Sequence, residues 1–171
     1  MLLLLLVFGC YKEPEEEPAE TPYYVGTAKW ELANDINNGL ASVMYKRNAT
    51  DDISNVSFYR NFTGQNFHFT GFRMDFGKQL LDINASHMDN IPTADFFHAN
   101  GDAIYDTYRL IELDSVENYF EITSIDPVAK TVEGKFQVAF GLVGNNPAHN
   151  PAGDPDTVVF RNGTFKTLIG Q

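Results

Sequence analysis

The residues in this sequence that could do chemistry are few and widely spaced. No HxH, HExxH or HxxxH pair occurs among the four histidines, which are His68, His87, His98 and His149. Zinc sites and metalloprotease helices use such local pairs, because two side chains of one element must reach the same ion. His68 lies between Phe67 and Phe69, and on a strand it should face away from both, as a solvated histidine does. The histidines therefore predict no metal site.

One loop carries candidate calcium ligands. The segment from Gly144 to Asp156, GNNPAHNPAGDPD, contains the oxygen donors Asn150, Asp154 and Asp156. Ca²⁺ binds such oxygens, but the spacing differs from an EF-hand loop and the terminal glutamate is absent. Asn, Asp, Gly and Pro are also the usual turn-forming residues. A plain hairpin loop is the favoured interpretation, calcium is the weaker one, and no other cofactor is expected.

No catalytic motif is present. The sequence lacks a GxSxG elbow, and Ser54, within DDISN, has no base nearby in the sequence. Asp and Glu number 23, so carboxylate pairs of the kind that hydrolyse glycosides can be imagined, although none has a distinctive context. We therefore expect no enzyme. The alternative is an envelope hydrolase whose carboxylates converge only in three dimensions.

Aromatic residues are the better functional lead. The chain contains 14 Phe, 8 Tyr and 1 Trp. Trp30 lies within an expected strand, and Tyr59 lies on the polar side of a strand whose apolar side carries Phe58. Exposed flat rings can stack on sugar rings or contact a partner protein, but aromatic residues also fill cores. Trp30 and Tyr59 are thus candidate ligand-binding residues.

Composition and charge narrow the class of partner. The 171-residue chain is long enough for one domain with a sizeable core, and its formal net charge is -11. A nucleic-acid-binding protein needs clustered Lys and Arg, whereas the 12 basic residues here are scattered among acidic ones. Nucleic acid is therefore not expected as a partner. An anionic membrane surface would also repel this chain, so membrane attachment needs another device.

The apolar residues of the body recur with a period of two, which indicates β-strands. Phe67 and Phe69 share one parity, but Phe72 has the other, so a bulge is predicted at Thr70-Gly71. Phe120 and Ile122 precede the turn DPVAK, and a second alternating run follows from Val132 to Leu142, which together predict a hairpin. We expect an all-β domain, an antiparallel β-sandwich of about eight to ten strands, with a partly open β-barrel as the alternative.

Three local segments complete this prediction. Strands from Gly26 to Leu32 and from Ala41 to Arg47 should be joined by the loop NDINNG. The segment TADFFHA, which starts at Thr93, is the best helical candidate because threonine is an N-cap residue. The Asn-Gly pair within RNGT, Arg161 to Thr164, predicts either a tight hairpin or a glycine bulge inside one long strand.

The N-terminus predicts a membrane address. Leu2 to Phe8 is an apolar run too short to span a bilayer, and it stops at Cys10, the single cysteine. The segment Leu6 to Cys10, LVFGC, resembles the lipobox of bacterial lipoproteins, whose cysteine is lipidated after cleavage. Two or more acyl chains give stable anchoring. The following residues, YKEPEEEPAETP, contain five Glu and three Pro and should form an extended tether.

A second resemblance covers the C-terminal third. The segments NYFEITSIDPVAKTVEGKFQVAF and DTVVFRNGTFKT resemble the C-terminal signature of small β-rich Bacteroidetes-type lipoproteins of uncharacterised function. The TVxGxF part of this signature consists of Thr131, Val132, Gly134 and Phe136, and the NGxF part consists of Asn162, Gly163 and Phe165. The family supplies no catalytic residue to transfer.

These observations predict three segments and one role. Residues 1–9 form a lipoprotein signal peptide, residues 10–22 a lipidated cysteine with an acidic tether, and residues 23–171 a β-domain. The expected location is the bacterial outer membrane, on the periplasmic or cell-surface side, with the lipid anchor as the membrane contact. We expect a non-catalytic binding role toward a glycan, a small ligand or an envelope protein. A purely structural envelope component is a further alternative.

Overall fold

The computed structural model describes residues 24–48, 51–60, 64–86, 89–100, 103–145 and 155–170. The strands in chain order are β1 (Tyr24–Leu32), β2 (Asp35–Ser42), β3 (Tyr45–Asn48), β4 (Asp51–Arg60), β5 (Gln65–Arg73), β6 (Gly77–Leu80), β7 (Thr93–Asn100), β8 (Ala103–Leu110), β9 (Tyr119–Asp126), β10 (Thr131–Asn145) and β11 (Thr157–Leu168). The prediction of an all-β antiparallel domain is confirmed. Within these ranges, no helix is long and apolar enough to cross a membrane.

Eight of the strands pair in a closed ring. Neighbours in the ring follow the order β11, β1, β2, β4, β5, β7, β8 and β10, and β10 also pairs with β11. Strand β10 is a branch point, because Thr131 to Gln137 pair with β9 whereas Phe140 to Asn145 pair with β8. β6 extends the sheet beyond β9, and β3 pairs with β4. The sheet therefore splits along β10. β8 continues the ring beside the C-terminal part of β10, and β9 lies beside its N-terminal part.

The inside of the ring is packed with aromatic side chains. Phe58 lies against Phe136 with ring centroids 5.0 Å apart, and Phe67 stacks on Phe160 at 4.8 Å. Burying one such side chain contributes about 1.5–3 kcal/mol to stability. Fully buried phenylalanines come from many ring strands and β9, namely Phe58, Phe67, Phe69, Phe72, Phe120, Phe136, Phe140 and Phe160. The core is therefore one continuous aromatic cluster.

The bulge predicted at Thr70-Gly71 is present. Gly71 has a φ of +74°, and the pairing of β4 with β5 shifts register between Ser54 and Val56. The shift lets Phe69 and Phe72 both point into the core although their parities differ. Phe76 is 68% exposed, because β5 ends at Arg73 before the chain reaches it. The alternation of buried residues therefore ends with β5.

The Asn-Gly pair forms the glycine-bulge alternative. β11 runs without interruption through Asn162, whose φ is 51°. Gly163 pairs with Phe136 and Phe160 pairs with Val138, so three steps of β11 match two steps of β10. A Cβ on Gly163 would lie 2.5 Å from ring atoms of Phe136. The glycine is therefore needed to make room for the aromatic core.

Two local predictions were wrong. TADFFHA is not a helix but most of β7, a strand between β5 and β8, and its alternate residues Ala94 and Phe96 are buried. The loop NDINNG is mostly strand, because the turn lies earlier, at Ala33 and Asn34 with φ values of 51° and 70°. Two successive positive φ values are typical of a tight type I′ hairpin.

Candidate functional site

A cavity of about 450 Å³ opens at one end of the strand ring. The turn between β1 and β2 and the beginnings of β5 and β11 surround it. It is lined by Glu31, Leu32, Ala33, Asn34, Gln65, Phe96, His98, Tyr108, Pro155, Thr157, Val158, Val159 and Arg161. The cavity therefore lies at the rim of the ring, where buried Phe96 and Val158 meet half-buried Val159 and Arg161.

Strand register explains why these side chains meet. Phe96 and His98 lie two residues apart on β7 and share a face of the sheet, and Gln65 is the direct neighbour of His98 on β5. Phe96 packs on Tyr108 with ring centroids 4.7 Å apart. The Tyr108 hydroxyl donates to the Pro155 carbonyl oxygen at 3.2 Å, which holds the start of β11 beside the opening. The wall is thus aromatic and fixed by pairing.

One lining residue has a buried polar atom that lacks a hydrogen-bond partner in the described part of the chain. Gln65 lines the cavity, and its side-chain oxygen Oε1 is buried with no hydrogen-bond partner among the described residues. An unsatisfied buried acceptor costs about 1–3 kcal/mol. The Gln65 side chain would have to turn toward the cavity before a ligand could donate to this oxygen.

The rim carries charges of both signs. Glu31 on β1 is the cross-strand neighbour of Arg161 on β11. The Asn162 side-chain amide donates to Glu31 Oε2 at 2.8 Å, which orients that carboxylate. Arg161 Nη1 contacts the Ser115 carbonyl oxygen at 3.5 Å, a long and weak hydrogen bond. The guanidinium thus keeps hydrogen-bonding capacity for an anionic group at the opening.

The two predicted ligand-binding aromatics do not come together. Trp30 is only 1% exposed and packs edge-on against Phe67, with ring centroids 4.9 Å apart. The exposure on which the Trp30 hypothesis depends is therefore absent, because Trp30 shares the inward face of β1 with buried Ala28. Tyr59 is half-buried on the outward face of β4, beside Leu40 of β2. The parity predicted for Tyr59 relative to Phe58 is confirmed.

The remaining candidates lie mostly outside the described ranges. Cys10, the lipidation candidate, and the calcium candidates Asn150 and Asp154 are among the residues that the structure does not describe. Asp156 is exposed, and its carbonyl oxygen accepts a backbone hydrogen bond from Leu142 at 2.8 Å. Among the described residues, no group of three or more His, Cys, Asp or Glu side chains could hold a metal ion.

One polar contact was not predicted from the sequence. Ser57 Oγ lies 2.6 Å from His68 Nδ1, and the His68 ring stacks on Phe97 at 5.2 Å. Burial lowers the pKa of His68, and the charge of Asp95 partly opposes this shift. His68 faces away from Phe67 as predicted, but it is half-buried rather than solvated. The outward parity of Ser57 and His68 was visible in the sequence, whereas the register that joins them was not.

Comparison of the chain with protein-family models, curated proteins and solved structures gives no match. Any function must therefore be argued from the residues themselves.

Proposed function

We propose that this chain is a lipid-anchored cell-envelope protein whose β-domain binds a small, partly apolar ligand without catalysis. The observation that carries the binding role is the cavity of about 450 Å³ at the end of the ring. Ligand pockets in proteins occupy roughly 300–1,000 Å³ and combine apolar walls with a few convergent polar groups. An eight-stranded closed sheet has room for one small ligand at most.

Different lining residues suit different chemical groups of a ligand. Leu32, Phe96 and Val158 offer apolar contact to a flat or aliphatic body. Arg161 at the rim offers a cation to an acidic group, and Gln65 offers an acceptor to one N–H or O–H group once its amide turns toward the cavity. The ligand that suits this arrangement is a small amphipathic molecule with a donor inside and an anionic group at the opening.

A fluorescent naphthalene tests the binding role. We expect anilinonaphthalene sulfonate, an aromatic body with an amine and a sulfonate, to bind the folded domain with one site and to raise its melting temperature, because only the folded state has the cavity. Leu32→Phe should fill part of the cavity and weaken binding about tenfold or more. Leu40→Phe is the matched control, since Leu40 is 47% exposed and lies away from the cavity lining.

The binding proposal has a clear contrary result. Equal dye affinity in wild type, Leu32→Phe and Leu40→Phe would show that the dye binds elsewhere. Circular dichroism of each variant should retain the β-type spectrum, so that a loss of binding reports on the cavity and not on unfolding.

The envelope location rests on the N-terminal sequence. The apolar run that ends at Cys10 and the acidic segment after it support a lipid anchor with a tether in the outer membrane. Labelling of growing bacterial cells with radioactive palmitate checks this part separately. We expect labelled wild-type protein and unlabelled Cys10→Ser protein, and equal labelling of the two would contradict the anchor.

A glycan on the outer sheet face is the second candidate. Tyr59 of β4 and Phe97 of β7 are half-buried on that face, on either side of Asn66 of β5, whose side chain is buried. The two rings suit the apolar face of a sugar. We expect glycan-array binding that Tyr59→Ala abolishes and Phe76→Ala preserves, and an array without signal would end this candidate.

A further inference from the structure

Four outward-facing residues form a second cross-strand row next to the first. Ser57 on β4 is paired with His68 on β5, His68 with Asp95 on β7, and Asp95 with Arg109 on β8. Directly paired residues in antiparallel strands have their side chains on the same face of the sheet. A hydroxyl, an imidazole and a carboxylate thus follow each other across three neighbouring strands.

The first two members of the row are in tight contact. Ser57 Oγ and His68 Nδ1 are 2.6 Å apart, which is short for a hydrogen bond between a hydroxyl and a ring nitrogen. The imidazole is held in place by Phe97, whose ring lies nearly parallel to it at an interplanar angle of 14°. The backbone of Ser57 is also fixed, because its N–H donates to Ser42 Oγ at 2.9 Å.

The charge state of the imidazole suits a base. Burial lowers the pKa of His68 below its ordinary value of 6.5, so the ring is mostly neutral at pH 7. The charged groups in the outward rows of the neighbouring strands are Asp95 on β7 and Arg109 beyond it on β8, and β4 presents Ser57 and Tyr59. A neutral ring that carries its proton on Nε2 can accept the Ser57 proton at Nδ1.

We propose that Ser57 is an activated nucleophile, with His68 as its base, which is acylated by small activated carboxylic esters. Ser57 Oγ bonds to the ester carbonyl carbon while its proton moves to His68 Nδ1. The bond between that carbon and the leaving oxygen then breaks, and the leaving alkoxide takes the proton from the imidazolium. The products are an acyl-serine and an alcohol, and no oxidant or metal is consumed.

The backbone around Ser57 limits the reaction to one round. Its N–H is already bound to Ser42, so it does not stabilise an oxyanion, and the energy of such a donor is a large part of turnover in serine hydrolases. Acylation and deacylation both lack this stabilisation, so only an ester with a good leaving group reacts, and the acyl-serine, an unactivated alkyl ester, is hydrolysed slowly. This reaction is independent of ligand binding in the end cavity, because neither Ser57 nor His68 lines that cavity.

Acetylation by p-nitrophenyl acetate tests the proposal. The full chain is incubated with the ester, and acetyl-Ser57 is quantified by peptide mass spectrometry, which separates it from acetylated lysines. We expect acetyl-Ser57 to form in wild type and at least about tenfold more slowly in His68→Gln, since a positioned base contributes about 10²–10⁴-fold. Ser124 is exposed on β9, and the variant Ser124→Ala should acetylate Ser57 at the wild-type rate.

The pH dependence of the wild-type reaction gives a readout that needs no variant. The rate should rise with a midpoint below pH 6.5 and then level off, and Asp95→Asn should move the midpoint lower because the Asp95 charge raises the pKa of His68. The proposal is overturned if Ser57 stays unmodified or if Ser124 is acetylated as fast. A rate that keeps rising in proportion to hydroxide up to pH 9 would overturn it as well.

Discussion

Replacement of Gly71 by alanine is the sharpest test of how the sheet is built. Gly71 has a φ of +74° and is buried at the bulge in β5. A Cβ placed on it would lie 2.1 Å from the Ile91 carbonyl oxygen and 2.6 Å from the carbonyl carbon. Both are backbone atoms, so no side-chain rotation can relieve the contact.

Two costs and one gain determine the expected effect. The positive φ costs an alanine about 1–2 kcal/mol, and the forced backbone shift adds roughly 1–3 kcal/mol. Alanine also restricts the unfolded chain, which stabilises by about 0.4–1 kcal/mol. Taken together, these effects predict that Gly71→Ala lowers the free energy of unfolding by about 1–5 kcal/mol.

Gly77→Ala is the matched control. Gly77 also has a positive φ, +110°, but a Cβ there would meet nothing within 4 Å. The unfolded-state gain applies to both variants, and a φ of +110° lies further from the left-handed minimum at about +57° than a φ of +74° does. Gly77→Ala therefore carries at least the backbone strain of Gly71→Ala, and a larger loss in Gly71→Ala reports on the steric contact. Urea titration followed by circular dichroism should show Gly71→Ala less stable than Gly77→Ala by roughly 1–3 kcal/mol. A Gly71→Ala variant as stable as the wild type would refute the contact with the Ile91 backbone as a reason for glycine at this position.

The other predictions concern core packing, pH and burial. Phe67→Ala should cost about 3–5 kcal/mol in urea unfolding because Phe67 is fully buried, whereas Phe76→Ala should stay within about 0.5 kcal/mol because Phe76 is 68% exposed; similar losses would contradict the assigned burial. Since the folded-state pKa of His68 lies below 6.5, its contribution to stability is complete above pH 6.5 and is lost as the pH falls through the folded pKa. His68→Gln should reduce the loss of unfolding free energy between pH 7.5 and 5, and an unchanged loss would speak against it. Trp30 fluorescence should resist iodide quenching in the native state and become quenchable in urea, and strong native quenching would place Trp30 at the surface.

Much of the strand architecture could be predicted because it depends on local parity. The bulge at Thr70-Gly71 and the hairpin of β9 and β10 were visible as alternations of apolar residues. The residues buried in the structure follow the same alternation. The helix prediction for TADFFHA was wrong. Threonine at its start is a good N-cap, and the segment is too short for its apolar period to separate helix from strand. Its position between β5 and β8, which sequence does not reveal, decides that it is a strand.

The candidate site was far less predictable. Gln65, Phe96 and Arg161 come from three separate strands, and only the register of those strands brings them to one cavity. Trp30 was a ligand-binding candidate because exposed flat aromatic side chains on a sheet can stack on sugars, but the indole lies on the inward face of β1 and is buried in the core. Ser57 and His68 are 11 positions apart, and their contact required the pairing of β4 with β5.

The pairing of β1 with β11 has a consequence for how the protein is made. Thr27 pairs with Lys166 and Leu32 with Phe160, so the first and last of the described strands are partners. During synthesis the ring cannot close until nearly the whole domain has left the ribosome. Until then both β1 and β10 present unpaired edges, which invite association with other chains. Contacts between such distant residues also slow folding. Nascent chains of this protein should therefore depend on holding factors that cover strand edges, and deletion of the last strand should yield aggregates rather than a smaller folded domain.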